Sequence, residues 1–245
     1  QGDGVTAGTA PFDSHSITIS SDAMGSIVIA GEGAGNAQSA LDTTAAGDIW
    51  DNGFTYGTNN GSAYVKPQAS DAANDKSINY TLPAMVDGLS AAVSYSGSTT
   101  GVDSTTAFGI TYTGIEGLSV SYGSGEVGAT SGKGDVTTMK ASYAMGSVSV
   151  ALSQNEADMV SGTDEEQSSF KISYTITDDL SVSYGEESHE TSGQTVDEEF
   201  EQVSVSYTTG GMTLTAYQVE ATGLGNTAGA LGAAERWKIG ASFAF

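Results

Sequence analysis

The chain has no cysteine, only 2 histidines, and 7 lysines and arginines against 30 aspartates and glutamates in 245 residues. Without Cys there is no disulfide framework and no thiol chemistry. A formal net charge of -23 excludes nucleic acid as a partner, because phosphates need cations facing them. The same charge suits the attraction of cations. His15 and His189 are far apart, and no nucleophile pattern surrounds either, so nothing supports a Ser/His/Asp site. No apolar run reaches the ~18 residues of a membrane-spanning helix, a test that strands escape. Hydrophobic content is 38%, low for a solid packed core. Gly31-Glu32-Gly33-Ala34-Gly35 imitates a phosphate-binding glycine loop. No helix pattern follows it and no basic residue is near, so it reads better as a sharp bend. The chain opens Gln1-Gly2-Asp3-Gly4-Val5, with neither initiator Met nor signal peptide. Processing or incomplete coverage would each explain that.

What is present is alternation. Leu89-Ser90-Ala91-Ala92-Val93-Ser94-Tyr95, Leu118-Ser119-Val120-Ser121-Tyr122, Leu180-Ser181-Val182-Ser183-Tyr184 and Val203-Ser204-Val205-Ser206-Tyr207 each set apolar residues against Ser or other small ones. A strand has a side-chain period of two, so one face is apolar and the other small or polar. This regularity argues against disorder as the meaning of the acidity. It predicts about thirteen strands, near 14–21, 25–31, 76–82, 89–96, 106–113, 118–123, 136–144, 147–154, 168–176, 180–185, 201–208, 211–219 and 235–245. At 211–219 the parity changes between Leu214 and Tyr217, which predicts a bulge.

Connections alternate in length. Short turns fall at 22–25, 83–88, 114–117, 144–146, 177–179 and 208–211, and long ones at 32–75, 97–105, 124–135, 155–167, 186–200 and 220–234. Tyr95, Tyr122 and Tyr184 lie at strand ends next to long loops, and Tyr143, Tyr174, Tyr207 and Phe245 near the short turns. An antiparallel meander with short turns at one end, long loops at the other and an aromatic girdle at each boundary is the layout of a transmembrane antiparallel β-barrel. Such a barrel needs an apolar outside but no dry core.

The terminal strand Trp237-Lys238-Ile239-Gly240-Ala241-Ser242-Phe243-Ala244-Phe245, ending on Phe, resembles the last strand of bacterial outer-membrane barrels. Met24-Gly25-Ser26-Ile27-Val28-Ile29-Ala30-Gly31, the long insert after it, and Ser77-Ile78-Asn79-Tyr80-Thr81-Leu82-Pro83 followed by Gly88-Leu89-Ser90 extend the likeness. Over its whole length the chain resembles the general porins of alphaproteobacteria. The resemblance implies a trimeric all-β barrel of about sixteen strands. About thirteen strands in this chain then leave about three missing before Gln1. Residues 1–245 would be a single barrel domain lacking those strands, with 1–13 part of a loop that latches onto a neighbouring subunit. It further implies residence in the bacterial outer membrane, contact with its lipid and lipopolysaccharide, recognition of Phe245 by the barrel assembly machinery, and passive diffusion of small hydrophilic solutes. No enzyme activity and no cofactor are implied.

The resemblance makes 32–75 the loop that folds into the barrel and narrows it. Its carboxylates would then line the constriction and favour cations, with Glu32, Asp42, Asp48 and Asp51 the candidates. An exposed acidic loop is the plainer alternative. Parity places Lys140, Lys171, Arg236 and Lys238 opposite the apolar face, as candidate basic groups of the pore wall. A charge on the lipid face would cost ~2–4 kcal/mol near the midplane. Solvent-facing lysine on a soluble sheet satisfies the same parity. One departure stands out: the family sets an arginine cluster on its wall, and here Arg236 is the only arginine.

Segments 155–167 and 186–200 read as acidic loops, with Glu156, Asp158, Asp164, Glu165 and Glu166 in the first and Glu186, Glu187, Glu190, Asp197, Glu198 and Glu199 in the second. Carboxylate clusters can hold Ca²⁺ and bridge to lipopolysaccharide phosphates, but no EF-hand spacing occurs, and a solvated surface is the plainer reading. Two rivals stand beside the diffusion channel. A substrate-specific channel would carry an aromatic track, which Trp50, Phe54 and Tyr56 could begin. A secreted β-rich surface protein or adhesin would be soluble without detergent.

Overall fold

The computed structural model describes residues 15–32, 35–41, 43–47, 49–51, 77–98, 103–129, 132–160 and 163–244. Thirteen strands form one sheet in which each pairs with its neighbours in the chain. They are β1 His15–Ser21, β2 Gly25–Glu32, β3 Ser77–Thr81, β4 Leu89–Ser96, β5 Thr105–Tyr112, β6 Leu118–Ala129, β7 Gly132–Met145, β8 Val148–Asp158, β9 Glu165–Thr177, β10 Leu180–Thr191, β11 Glu198–Thr209, β12 Met212–Thr222 and β13 Ala234–Phe243. All pairings are antiparallel. β1 and β13 are the two edges of the sheet. Among the described residues no helix is long and apolar enough to cross a membrane, a test that does not apply to strands.

The short turns sit at one end. Two of them need glycine for stated reasons. Gly88 and Gly117 have φ of 72° and 77°, where a side chain is strained. A Cβ at Gly117 would also stand 2.2 Å from the Ala144 carbonyl of the next turn.

The alternation in sequence becomes two unlike faces. One carries Ile17, Ile19, Val93, Phe108, Ile110, Met139, Leu152, Ile172, Val203, Trp237 and Ile239, all exposed. Trp237 and Ile239 are 71% and 70% accessible, a large exposure for apolar side chains. The apolar residues form a belt nearest the short turns. On β9 the belt runs from Phe170 to Ile176, and on β10 from Leu180 to Tyr184. Tyr143, Tyr174 and Tyr207 mark its lower border; Tyr95, Tyr122 and Tyr184 mark its upper one. Phe245 lies outside the described residues, and Phe243, 59% exposed, stands on the lower border in β13.

The strands outrun their expected lengths at the end away from the short turns. Of the segments expected as acidic loops, Glu156 and Asp158 belong to β8, Glu165 and Glu166 to β9, Glu186, Glu187 and Glu190 to β10, and Glu198 and Glu199 to β11. Only Asp164 and Asp197 of that set lie between strands. Above the belt the outer face turns polar, so pairing continues after hydrophobic alternation stops. The expected bulge near Leu214 is absent: β11 and β12 stay in unbroken register from Thr209↔Met212 to Glu199↔Thr222. Tyr217 and Val219 point to the other face because apolar residues are needed there. They meet a small cluster of Ala46, Ile49, Phe200, Ala221 and Leu224. With a second cluster of Val127, Val136 and Ala157, this is the apolar interior of the described residues, in keeping with the low hydrophobic content.

Candidate functional site on the polar face

The face opposite the belt presents Ser94, Thr138, Ser153, Asn155, Gln167, Ser169, Glu187, His189 and Glu198, all buried. Described residues of the segments 35–41, 43–47 and 49–51 are hydrogen-bonded to them. Ala37 N–H donates to Ser94 Oγ on β4 at 3.0 Å. Gln38 Nε2 donates to Thr138 Oγ1 on β7 at 2.6 Å, and the Thr138 hydroxyl donates to Asn155 Oδ1 on β8. Lys140 Nζ donates to the Thr44 carbonyl at 2.7 Å. Ala45 and Ala46 N–H both donate to Ser169 Oγ on β9, at 3.1 and 2.8 Å. Trp50 N–H donates to Glu187 Oε2 on β10 at 3.1 Å. Ile49, 1% exposed, then packs with Phe200 of β11 and Val219 of β12. The segment therefore touches the wall from β4 to β12.

Glycines shape the seat. A Cβ on Gly109 would lie 2.4 Å from the Ala37 carbonyl, one on Gly123 2.6 Å from Leu41, and one on Gly185 3.0 Å from Ala46 Cβ. The backbone of the wall and that of the segment approach as closely as side-chain-free positions permit.

The expected site residues fall as follows. Lys140, Lys171, Arg236 and Lys238 are on the polar face by register: Lys140 opposes Ser121 and Ser153, Lys171 opposes Gly185, Arg236 opposes Val219 and Lys238 opposes Tyr217. Arg236 thus pairs with Val219 of the Ile49 cluster, and Lys171 and Lys238 pair with Gly185 and Tyr217 beside it. Glu32 ends β2 and Asp51 closes the short 3-10 turn Ile49–Asp51. Asp42 and Asp48 lie outside the described residues.

Three ionisable residues of this face depart from the sequence reading, which has Glu187 and Glu198 as members of an acidic loop and His189 as an isolated histidine. His189 Nδ1 lies 3.2 Å from Glu198 Oε2, and Glu198 also accepts the N–H of Gly225. That bond holds the turn whose Leu224 packs against the Ile49 cluster. Glu187 is the third. Glu165, at the start of β9 and outside the belt, faces this group. Burial lifts its carboxyl above the ordinary range; His189 opposes that shift and Glu198 adds to it. Extending the parity of Lys171 two and four residues back finds Ser169 and Gln167, and two and four residues on from Gly185, in the antiparallel neighbour, finds Glu187 and His189. Among the described residues no group of three or more His, Asp or Glu converges as a metal site.

An exposed apolar belt bounded by aromatics on one face, and a polar face to which a further segment is hydrogen-bonded on the other, are the layout of an outer-membrane β-barrel. The chain belongs to the Gram-negative porin family, whose model matches residues 2–245. It is a channel of the bacterial outer membrane and not an enzyme. The secreted surface-protein reading falls with that assignment. The fold is similar to that of a solved porin, with TM-score 0.60 and 16% identity over 94% of this chain and 80% of that one. It is also similar to the anion-selective porin of Comamonas acidovorans (TM-score 0.58, 15% identity, 85% of this chain, 67% of that one). A trimer form of OmpT from Vibrio cholerae gives TM-score 0.52 and 14% identity over 86% of this chain and 70% of that one. No curated protein matches.

Proposed function

We propose that this chain forms a general diffusion pore of the alphaproteobacterial kind, homotrimeric, mildly cation-selective and passing small hydrophilic solutes. Segment 32–75 is its inward constriction, Glu32, Asp42, Asp48 and Asp51 its acidic side, and Lys140, Lys171, Arg236 and Lys238 its basic wall. The observation that carries the reading is the run of wall contacts from Ser94 to Val219 made by residues 37–50. A channel that only needed to be closed would not need a seat built for one segment. The net charge of -23 supports cation preference, since carboxylates outnumber cations wherever ions enter. The trimer form of the Vibrio cholerae protein supports the homotrimer. Contacts with lipopolysaccharide, with Ca²⁺ bridging its phosphates to the acidic strand ends, and recognition of Phe245 by the assembly machinery belong to the same proposal.

The test is conductance across a planar bilayer under a KCl gradient, with the full-length protein extracted in detergent. Large steps arriving in threes with a cation-selective reversal potential are expected. Anion selectivity would keep the pore and overturn the electrostatic assignment, and folded protein without conductance would overturn the pore.

A further inference from the structure

Glu187 and Ser169 form a two-residue hydrogen-bonded hub beneath the segment. The Ser169 hydroxyl has two lone pairs and one proton. Both lone pairs are engaged, by Ala45 N–H at 3.1 Å and Ala46 N–H at 2.8 Å. Its proton must therefore be donated, and the acceptor is Glu187 Oε1 at 3.2 Å. Glu187 Oε2 receives Trp50 N–H at 3.1 Å. Both ends of the residue 187 side chain must accept, and a carboxylate is the group that does this; an amide would turn an NH₂ toward one of two donors. Ser169 and Glu187 are 5% and 3% exposed, so an unmatched donor there has no water to turn to. Burying a carboxylate is costly unless it is fully hydrogen-bonded. Placing one here makes sense only if holding Ala45, Ala46 and Trp50 matters.

We propose that Glu187 is the positioning residue of the constriction, fixing the segment that carries Ala45, Ala46 and Trp50 through Ser169 and directly. This rests on reading that segment as the constriction. When the hub is intact the segment stays on the wall and the open pore is electrically quiet. When it is broken the segment leaves its seat intermittently and the current flickers.

The experiment is single-channel recording of the full-length protein with Glu187→Gln, Ser169→Ala and, as a control for the constriction itself, Ala40→Trp on the exposed side of the segment. Folding is read separately by the mobility difference between unheated and heated samples. Glu187→Gln and Ser169→Ala are expected to raise the unseated fraction roughly tenfold, seen as brief closures and excess open-channel noise. If both single variants fold and are as quiet as the parent while Ala40→Trp lowers conductance, the positioning role is wrong. If Ala40→Trp leaves conductance unchanged, the constriction reading itself is wrong.

Discussion

The ammonium of Lys140 on β7 donates to the main-chain carbonyl of Thr44, 2.7 Å away and 96 residues earlier in the chain. A cation of the polar face is thereby fixed to the backbone of the segment. Its charge stays on the polar face, but its position is set by the segment as much as by the strand. Lys140, Ser153, Ser169 and Glu187 occupy one row of the sheet across β7 to β10. The positive end of that row holds a carbonyl, and the negative end holds an N–H.

Lys140→Met keeps the stem and removes the charge. The loss of a part-buried charge-assisted bond predicts about 1.5 kcal/mol or less of lost stability for the seated segment. Removing a wall cation also shifts the reversal potential toward cations. Recording both conductance noise and reversal potential tests the two effects separately. A variant identical to the parent in both would mean that Lys140 is neither a wall charge nor an anchor.

Gly109→Ala is the steric counterpart. The added methyl would meet the Ala37 carbonyl at 2.4 Å, and backbone cannot swing aside as a side chain can. Overpacking of this kind costs about 1–3 kcal/mol, and here the segment gives way before a strand paired on both sides. Conductance is expected to change while insertion and heat-modifiability do not. Unchanged conductance would show that Ala37 relaxes without moving the rest of the segment.

The belt, strand count and short turns were legible in the sequence because hydrophobic alternation reports one apolar face directly. Lys140, Lys171, Arg236 and Lys238 were placed by the same rule. The upper strand ends were not legible: Asn155, Gln167 and His189 oppose outward Glu156, Glu166 and Glu190 from neighbouring positions, so neither face is apolar and no contrast remains. Glu187 looked like one acid among several because its partners, Ser169 and Trp50, are 18 and 137 residues away. Tyr217 and Val219 suggested a bulge only because the Ile49 cluster they complete comes from a segment more than 160 residues earlier, an approximate separation no local pattern reports.

The outer face above the belt carries a row of like charges. Glu186 opposes Glu201, Glu201 opposes Glu220, and Glu220 opposes Glu235 across β10 to β13. Gln218 relieves one end by donating to Glu235 at 2.8 Å and Glu220 at 3.3 Å. Directly opposed like charges destabilise a sheet by roughly 0.2–1 kcal/mol each. Glu201→Gln removes two such contacts and Glu235→Gln one, so the first is expected to stabilise more. Urea unfolding in lipid vesicles reads the order, and the gain should shrink as salt rises. Equal gains, or gains indifferent to salt, would contradict the ladder.

Glu165 gives a pH dependence of fixed sign. Its carboxyl is raised above the ordinary range, first by burial, so the folded chain binds its proton more tightly than the unfolded chain. Below the ordinary carboxylate range both states hold the proton and nothing is lost. As pH rises from that range through the raised folded-state value, the charge becomes a net cost, which then stays constant. Glu165→Gln removes that cost. It should therefore match the parent in acid and become more stable at neutral pH, by under about 1 kcal/mol because the side chain is partly exposed. His189 limits the gain, since its positive form favours the charged carboxylate. Combining the substitution with His189→Gln should enlarge the difference between neutral and acid stability attributable to residue 165. A gain that is the same at both pH values would mean that Glu165 is not held in the buried environment described, and that the Glu165, His189 and Glu198 group does not act as a unit.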